Sequence, residues 1–484
     1  MEKTTTLYAQ LKECKTIKEL YQVLGEERLE KGVFLLLCAW ALVPIASVFS
    51  HFFWSFRTES LTFREAVFQM DYWEIVQYLG LLTFTYAVIY LYGKLAVFKK
   101  QSLPKNFTEQ LFQALKTLSP WNRALLLMLF WACVCTCFSA DIRTSIFGSE
   151  YRHEGILMYF VYCAIFFLAQ HVKKKNYRIL YFRIFSIVAT VLAIICVLQD
   201  YNLFGLSNVF IAPWATVFFH FNHLGYYFSL SILCTIGLFV LDDTAWWRVF
   251  YVISIYLQFW GILVNSTFAS YLGICVGVIA VTVLFSIWSK NRTDRKQIMQ
   301  NLWIVWILFL GTMFMSYMDW IPSSSGENMR VNSERMFADL YAIIMNIEKA
   351  AEAGYDGAGH GRLYYWVTGV KMLLLSPIVG YGPEMYHSVL GPTMWTNRVD
   401  LEILQYGVFF GFPGMLLYVF SLVSLAYTRM KQLIQLSPTV LIAGGCVISY
   451  MVSSCFGNSM FYTAPYFWIV LGIVAAGNYD IKSV

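Results

Sequence analysis

Charged residues are scarce in this chain of 484 residues, because Asp, Glu, Lys and Arg together make up only 13% of it. A soluble domain typically carries about 25% charged residues, so this chain cannot cover the surface of a soluble protein of its length. The hydrophobic residues, 58% of the total, fall in blocks of about 20, the length of helix that crosses the hydrocarbon core of a bilayer. The composition therefore argues against a soluble helical protein and predicts an all-α polytopic membrane protein.

The apolar blocks predict about twelve transmembrane helices. We place them at residues 33–51, 73–95, 123–140, 156–171, 179–199, 224–241, 247–264, 267–289, 301–319, 399–426, 436–454 and 464–478. The charged head before the first span is too long and too acidic for a cleavable signal peptide, so we expect a cytoplasmic amphipathic helix there. The predicted organisation is an N-terminal segment 1–32, spans one to nine over 33–319, a large extracytoplasmic loop 320–398, and spans ten to twelve with a cytoplasmic tail over 399–484.

Lys and Arg are absent from two of the predicted outer loops, "QDYNLFGLSNVFIAPWATVFFHFNH" and "CFGNSMFYTAP". The alternate loops are basic and include "HVKKKNYR" and "SKNRTDRK". Cytoplasmic loops of membrane proteins carry the excess of Lys and Arg, so the pattern predicts that both termini are cytoplasmic. The net charge of +6 is then mostly a topology signal, and no basic patch is left to indicate nucleic-acid binding.

The sequence also lacks a phosphate-binding loop of the Walker type and an Asp-rich metal motif. The string "CVCTC" at Cys133 to Cys137 lies in an apolar span, and no His or second Cys pair follows it at zinc-finger spacing. We therefore expect no metal, no cofactor, no disulfide framework and no ATP hydrolysis.

Polar residues are concentrated instead at the predicted outer ends of four spans. The segments are "FGSEYRHEG", "FFHFNHLGYY", "GAGHGRLYYWVTGVKMLLLSPIVGYGPEMY" and "TNRVDLEILQYGVFFGFPG". The candidate residues in them are Arg152, Glu154, His220, Asn222, His223, His360, Arg362, Trp366, Arg398, Asp400 and Glu402. If the topology is right, all four segments lie on one side of the membrane, where their side chains can converge on one cavity.

Such a cavity suits group transfer from a phosphate-linked donor. Arginine binds phosphate oxygens through a fixed and permanently charged fork, and a nearby carboxylate or imidazole can take a proton from an attacking hydroxyl. The alternative to a role in binding is that each arginine is an interfacial anchor whose side chain reaches the lipid headgroups. The histidines would then lie at the membrane interface with their hydrogen bonds satisfied. Spacing alone leaves a transporter and a membrane transferase open.

These motifs resemble those of the O-antigen ligase and polymerase superfamily, whose members are membrane glycosyltransferases using polyprenyl-diphosphate-linked glycans. The strongest match is Gly359-His360-Gly361-Arg362, then Trp366, then Gly380-Tyr381-Gly382-Pro383-Glu384. "YRHEG", "FNHLGYY" and "LEILQYGVFFGFPG" resemble further motifs in the expected order, so the resemblance runs from about Phe147 to Tyr418. It implies a glycosyltransferase-C-like helical fold with a large outer loop between the ninth and tenth spans.

Two positions depart from the superfamily pattern. A histidine usually precedes the tenth span, where this sequence has Asp400, and an arginine usually opens the eighth span, where this sequence has Phe268. We expect Asp400 to act as the general base beside Arg398, whose charge would lower the pKa of the carboxylate. The alternative is that Asp400 only pairs with Arg398 and orients it.

The resemblance implies a bacterial plasma-membrane enzyme that transfers a glycan from undecaprenyl diphosphate to a glycan or lipid acceptor on the outer face, with inversion. The expected diphosphate and glycan ligands are Arg362, Arg152, Arg398, Asn222, His220, Trp366 and His360, and the expected bases are Asp400, then Glu402 and His223. Ligase and polymerase differ only in the acceptor, so both stay open. The rival functions are a lipid-linked glycan flippase or exporter, and a catalytically inactive member of the superfamily.

Overall fold

The computed structural model describes residues 7–55, 70–98, 116–149, 152–206, 210, 215–218, 220–265, 267–321, 329–345, 362–386 and 398–477. Within these residues the secondary structure is helical and contains no strand. The α-helices in chain order are α1 Leu7–Glu13, α2 Ile17–Ser55, α3 Met70–Phe98, α4 Pro120–Cys137, α5 Ile142–Phe147, α6 Ile156–Ala169, α7 Lys175–Asp200, α8 Phe221–Leu241, α9 Ala245–Asn265, α10 Phe268–Trp288, α11 Arg295–Tyr317, α12 Met329–Met345, α13 Arg362–Leu375, α14 Glu402–Lys431, α15 Pro438–Ser453 and α16 Ala464–Ala476.

The described helices fit the prediction of a polytopic membrane protein. Ten of them are long and apolar enough to cross a membrane, and two shorter apolar helices, α6 and α16, lie where the sequence predicts the fourth and twelfth spans. In the most apolar 18-residue stretch of helix α8, 94% is buried inside the protein. Helices α3 and α11, in contrast, expose many large apolar side chains. Apolar exposure on this scale is expected of surfaces that face hydrocarbon rather than water.

Uncharged polar side chains connect the central helices α7, α8 and α9. Ser186 and Thr235 share a hydrogen bond of 2.7 Å, Thr190 and Ser254 share one of 2.5 Å, and Gln258 Nε2 donates to Thr235 and Ser254. Hydrogen bonds of this kind hold helices together in membranes because hydrocarbon offers no alternative partners. These polar groups therefore satisfy one another within the bundle.

One end of the bundle gathers the basic loops. The carboxylate of Glu30 accepts hydrogen bonds from the backbone N–H groups of Lys173 and Lys174 at 2.6 and 2.7 Å. Arg178, at the start of α7, donates to the carbonyl of Gly477, just after α16. Helix α2, the loop between α6 and α7 and the end of α16 thus meet at what we call the basic end, and the positive-inside rule predicts that this end is cytoplasmic.

Helix α14 is interrupted at Gly411, which has φ 67° and ψ −175°. This conformation is accessible essentially only to glycine, and a Cβ there would lie 2.0 Å from the carbonyl oxygen of Ile378. The interruption frees backbone carbonyls of residues 408 and 409, which accept hydrogen bonds of 2.9 Å from the N–H groups of Tyr381 and Gly382. The turn that follows α13 is therefore docked on the interrupted helix.

Candidate active site

Four chain segments meet at the end of the bundle opposite the basic end. Arg152 precedes α6, His220 precedes α8, Arg362 opens the described part of α13, and Asp400 lies just before α14. The charges of Arg362 and Arg152 both act on the carboxylate of Asp400 and on the imidazole of His220. The structure therefore brings these four sequence-predicted residues together, as the segment pattern indicates, and we call this group the outer cluster.

Arg152 and Arg362 supply positive charge to the outer cluster. Among the described residues neither guanidinium forms an ion pair. Burial, together with the neighbouring charge of Arg398, lowers the pKa of Arg152 to about 10, and the carboxylates of Glu384 and Asp400 partly oppose this change. A desolvated guanidinium without a bonded acid is electrostatically suited to bind an anion.

Asp400 is held by two hydrogen bonds and has a backbone conformation that the sequence does not reveal. Its Oδ1 accepts a hydrogen bond of 2.5 Å from the amide of Asn458, and its backbone carbonyl accepts one of 3.0 Å from the indole N–H of Trp366. Its backbone φ is 52°, which is uncommon for a residue other than glycine and often marks a functional position. The carboxylate is thus fixed in place at the start of α14.

The electrostatics of Asp400 differ from the sequence-based expectation. Burial raises the pKa of the carboxyl group above its ordinary value, and the charges of Arg362, Arg152 and Arg398 only partly oppose this effect. Arg398 does act to lower this pKa, but the expected net lowering is wrong, because desolvation outweighs the three arginines. A raised pKa makes the carboxylate a stronger base than a solvated aspartate.

Arg398 also lies differently from what its predicted role requires. Its side chain is 1% exposed, Nη2 forms an ion pair with Glu384, and Nη1 donates to the carbonyl of Ser459 at 2.8 Å. Both terminal nitrogens are bonded to protein groups, so the geometry does not support Arg398 as a diphosphate ligand. The alternative that Asp400 pairs with Arg398 is wrong as well, because the bonded carboxylate is that of Glu384 and Asp400 bonds Asn458.

The other two predicted bases are more enclosed than Asp400. Glu402 is 1% exposed, and its Oε1 accepts a hydrogen bond of 2.6 Å from the hydroxyl of Tyr418. His223 is 6% exposed and stacks on Tyr462 with ring centroids 5.6 Å apart. Both side chains face the interior of the bundle, whereas Asp400 is only partly buried.

His220 and Asn222 open helix α8. The Nδ1 of His220 accepts the backbone N–H of Asn222 at 3.2 Å, so the imidazole caps the helix. Burial lowers the pKa of His220 to about 4, and Arg362 and Arg152 act in the same direction, which keeps the imidazole neutral near pH 7. The Oδ1 of Asn222 is buried without a hydrogen-bond partner among the described atoms.

Three residues near the outer cluster were missed as functional groups by the sequence analysis. Glu384 belongs to the quoted Gly-Tyr-Gly-Pro-Glu string but received no role, and Asn458 and Ser459 lie in a loop considered only for its lack of charge. His360, a predicted ligand, lies outside the described residues. Trp366 is present in α13, where its indole N–H is bonded to Asp400.

Residues 252–419 match the family model described as O-antigen ligase, and no curated protein matches the chain. The matched range includes Arg362, Asp400 and Glu402, whereas Arg152 and His220 precede it. The match agrees with the resemblance of the ordered motifs: residues 252–419 are similar to an O-antigen ligase domain, which supports the O-antigen ligase/polymerase superfamily.

Proposed function

We propose that this protein is a membrane glycosyltransferase that moves a glycan from a polyprenyl diphosphate, undecaprenyl diphosphate in bacteria, to an acceptor hydroxyl at the outer face. The O-antigen ligase domain indicates a ligase-like function. The observation that supports the proposed donor and mechanism is the outer cluster, in which the charges of Arg152 and Arg362 act together on the carboxylate of Asp400. Two guanidinium groups beside one carboxylate match the needs of an anionic leaving group and a proton acceptor.

In the proposed reaction the acceptor hydroxyl attacks the anomeric carbon of the donor glycan. The new carbon–oxygen bond forms as the bond from the anomeric carbon to the phosphate oxygen breaks, and the polyprenyl diphosphate leaves with that electron pair. Attack from the side opposite the leaving group inverts the anomeric configuration. The hydroxyl proton passes to Asp400, and Arg152 and Arg362 stabilise the charge that develops on the diphosphate.

Asp400 is the preferred base because it combines position with electrostatics. It is partly exposed within the outer cluster, and burial raises its pKa while three arginines keep the charged form accessible. Glu402 and His223 are the reserve candidates, since both are nearly inaccessible in this structure. A base must reach the proton that it removes, which favours the more accessible carboxylate.

The test uses the full chain in nanodiscs with a radiolabelled oligosaccharide on undecaprenyl diphosphate and a lipid-linked saccharide as acceptor. We expect wild-type protein to form the transferred glycan and to release undecaprenyl diphosphate. Asp400→Asn should slow transfer by about 10²–10⁴-fold while binding of undecaprenyl diphosphate stays unchanged, and Asp400→His should restore some activity with a pH dependence near 6–7. The matched control is Asp243→Asn, at an exposed aspartate of the basic end whose carboxylate accepts from Gln297.

The outcomes separate the proposal from its rivals. If Asp400→Asn weakens donor binding but turns over normally at saturating donor, the base is Glu402 or His223. Transbilayer movement of the donor without glycan transfer would identify a flippase and overturn the proposed function. Arg362→Ala should slow transfer by about 10²–10³-fold, and Arg362→Lys should recover only part, because lysine lacks the bidentate fork.

A further inference from the structure

We infer that the buried ion pair of Glu384 and Arg398 is a positioning device that holds the Asp400 carboxylate in its working orientation. This inference rests on the proposed function, because it gives Asp400 the role of base. It assigns roles to Glu384, which the sequence analysis left without one, and to Arg398, whose terminal nitrogens are bonded to protein groups.

The first observation is that Glu384 projects from a rigid turn. Gly380 and Gly382 have φ of 64° and 89°, and a Cβ on Gly380 would lie 2.6 Å from backbone atoms of α14. The turn is bonded to α14 through two backbone hydrogen bonds, and Ser145 donates to the carbonyl of Pro383 at 2.9 Å. The glycines therefore allow a close contact that fixes where residue 384 lies.

The second observation is that the Glu384 carboxylate is fully used. One oxygen is bonded to Arg398, and the other accepts a hydrogen bond of 2.8 Å from the hydroxyl of Ser149. The exposed fractions of the two charged side chains are 1% for Arg398 and 2% for Glu384. A buried pair of this kind resists rearrangement, because separating it leaves a charge without a partner in a medium of low polarity.

The third observation links the pair to Asp400. Arg398 donates to the carbonyl of Ser459, while the next residue but one, Asp400, accepts from the side chain of Asn458. Arg398 and Asp400, which are two positions apart before α14, therefore contact two adjacent residues of the loop before α16. This double contact fixes both the direction of the carboxylate and the uncommon backbone conformation of Asp400, φ 52°.

The position of Arg398 thus determines whether Asp400 can keep its orientation. Without the Glu384 carboxylate, the guanidinium would lose the partner that holds it against Ser459, and Asp400 could relax toward a commoner backbone conformation. A displacement of about 1 Å in a catalytic group can cost about 10²-fold in rate. The predicted defect is therefore in turnover and not in donor affinity.

The experiment measures transfer by full-length Glu384→Gln in nanodiscs, with binding of undecaprenyl diphosphate measured on the same samples. We expect kcat to fall by about 10- to 100-fold, with donor KM and the dissociation constant of undecaprenyl diphosphate within about threefold of wild type. Arg398→Lys keeps the positive charge, so its kcat should lie between those of wild type and Glu384→Gln. This variant also provides the test if Glu384→Gln does not fold. The matched control is Asp242→Asn, which removes the partner of Arg183 at the basic end and should leave kcat unchanged.

A double variant tests whether the ion pair of Glu384 and Arg398 acts through Asp400. Asp400→Glu moves the carboxylate by one methylene, so adding Glu384→Gln to it should slow transfer much less than in wild type. If the double variant slows transfer by the product of the two single-variant factors, the inference is overturned. A tenfold loss of donor affinity in Glu384→Gln, with normal turnover at saturating donor, would overturn it as well. If Asp400→Asn transfers normally the proposed base fails, whereas if only Glu384→Gln is neutral the positioning role alone fails.

Discussion

Arg152 gives the sharpest test of the outer cluster, because its two possible roles predict opposite changes in stability. Burial, with help from Arg398, lowers its pKa from 12.5 to about 10. Near pH 7 the guanidinium is charged in both folded and unfolded chains, so the lowered pKa is a destabilisation of the folded state. At about 1.4 kcal/mol for each pH unit, it corresponds to about 3 kcal/mol.

A bound diphosphate would relieve this destabilisation by placing negative charge beside the guanidinium. We therefore expect Arg152→Gln to melt at a higher temperature than wild type when no donor is present. The gain in the free energy of unfolding should be below about 3 kcal/mol, because the arginine is partly exposed and its packing is lost. The same variant should bind undecaprenyl diphosphate at least tenfold more weakly than wild type. Its melting temperature should therefore rise less when undecaprenyl diphosphate is added.

The assay is thermal unfolding of the purified protein with and without undecaprenyl diphosphate, paired with a direct binding measurement. Arg292→Gln is the control, since Arg292 lies at the basic end and stacks on Trp288 with 3.9 Å between the guanidinium carbon and the ring centroid. That variant should keep normal donor binding. An Arg152→Gln protein that is less stable than wild type and binds the donor normally would refute the reasoning and make Arg152 a structural residue.

Three further predictions address the fold, its pH dependence and its topology. Gly411→Ala should destabilise the protein by more than about 2 kcal/mol and slow transfer, because the turn that presents Glu384 docks on this interruption. Gly311→Ala, at a helical glycine with open space around its Cα, should keep or raise the melting temperature, and equal effects of the two would contradict the docking argument. Burial raises the pKa of Glu154 to about 7 from 4.5, so the folded state binds a proton more tightly than the unfolded state and stability should fall by up to about 3 kcal/mol as pH rises from about 4.5 to 7. Glu154→Gln should remove that pH dependence, and a melting temperature with the same pH slope as wild type would show that the carboxyl is not the titrating group. A cysteine at Asp141 should react with an impermeant reagent in intact cells, whereas one at Arg292 should not, and reaction at Arg292 would reverse the proposed orientation.

The distribution of apolar blocks was sufficient to predict the long apolar helices and the two shorter ones, α6 and α16. Their lengths reflect the thickness of the hydrocarbon core, which every spanning segment must match independently of its neighbours. For this reason the predicted positions agree with the described helices even for the short α6 and α16. The sequence also indicated that the polar segments lie at one end of the bundle. Basic loops and uncharged loops alternate along the chain, so the charge of each loop indicates the end of the bundle at which it lies.

The interruption of α14 was less accessible from sequence. Gly411 and Pro413 stand in the quoted "GFPG" string, but a glycine and a proline in an apolar run are compatible with a bend, a kink or a close helix contact. What selects the observed backbone is the turn after α13, which occupies the freed carbonyls. That partner lies about thirty residues earlier in the chain and is identified only by packing.

The partners of the charged residues were decided by the tertiary structure alone. Arg398 and Asp400 are two residues apart, so sequence reasoning paired them, yet Arg398 bonds Glu384 and Asp400 bonds Asn458. The sequence by itself indicated that the described polar groups lie at the end opposite the basic end, because the length of each apolar block sets where its helix ends. The bonds among them, and the desolvation that raises the pKa of Asp400, depend on how segments from distant parts of the chain pack, since the distances between side chains and their exclusion of water exist only in the assembled bundle.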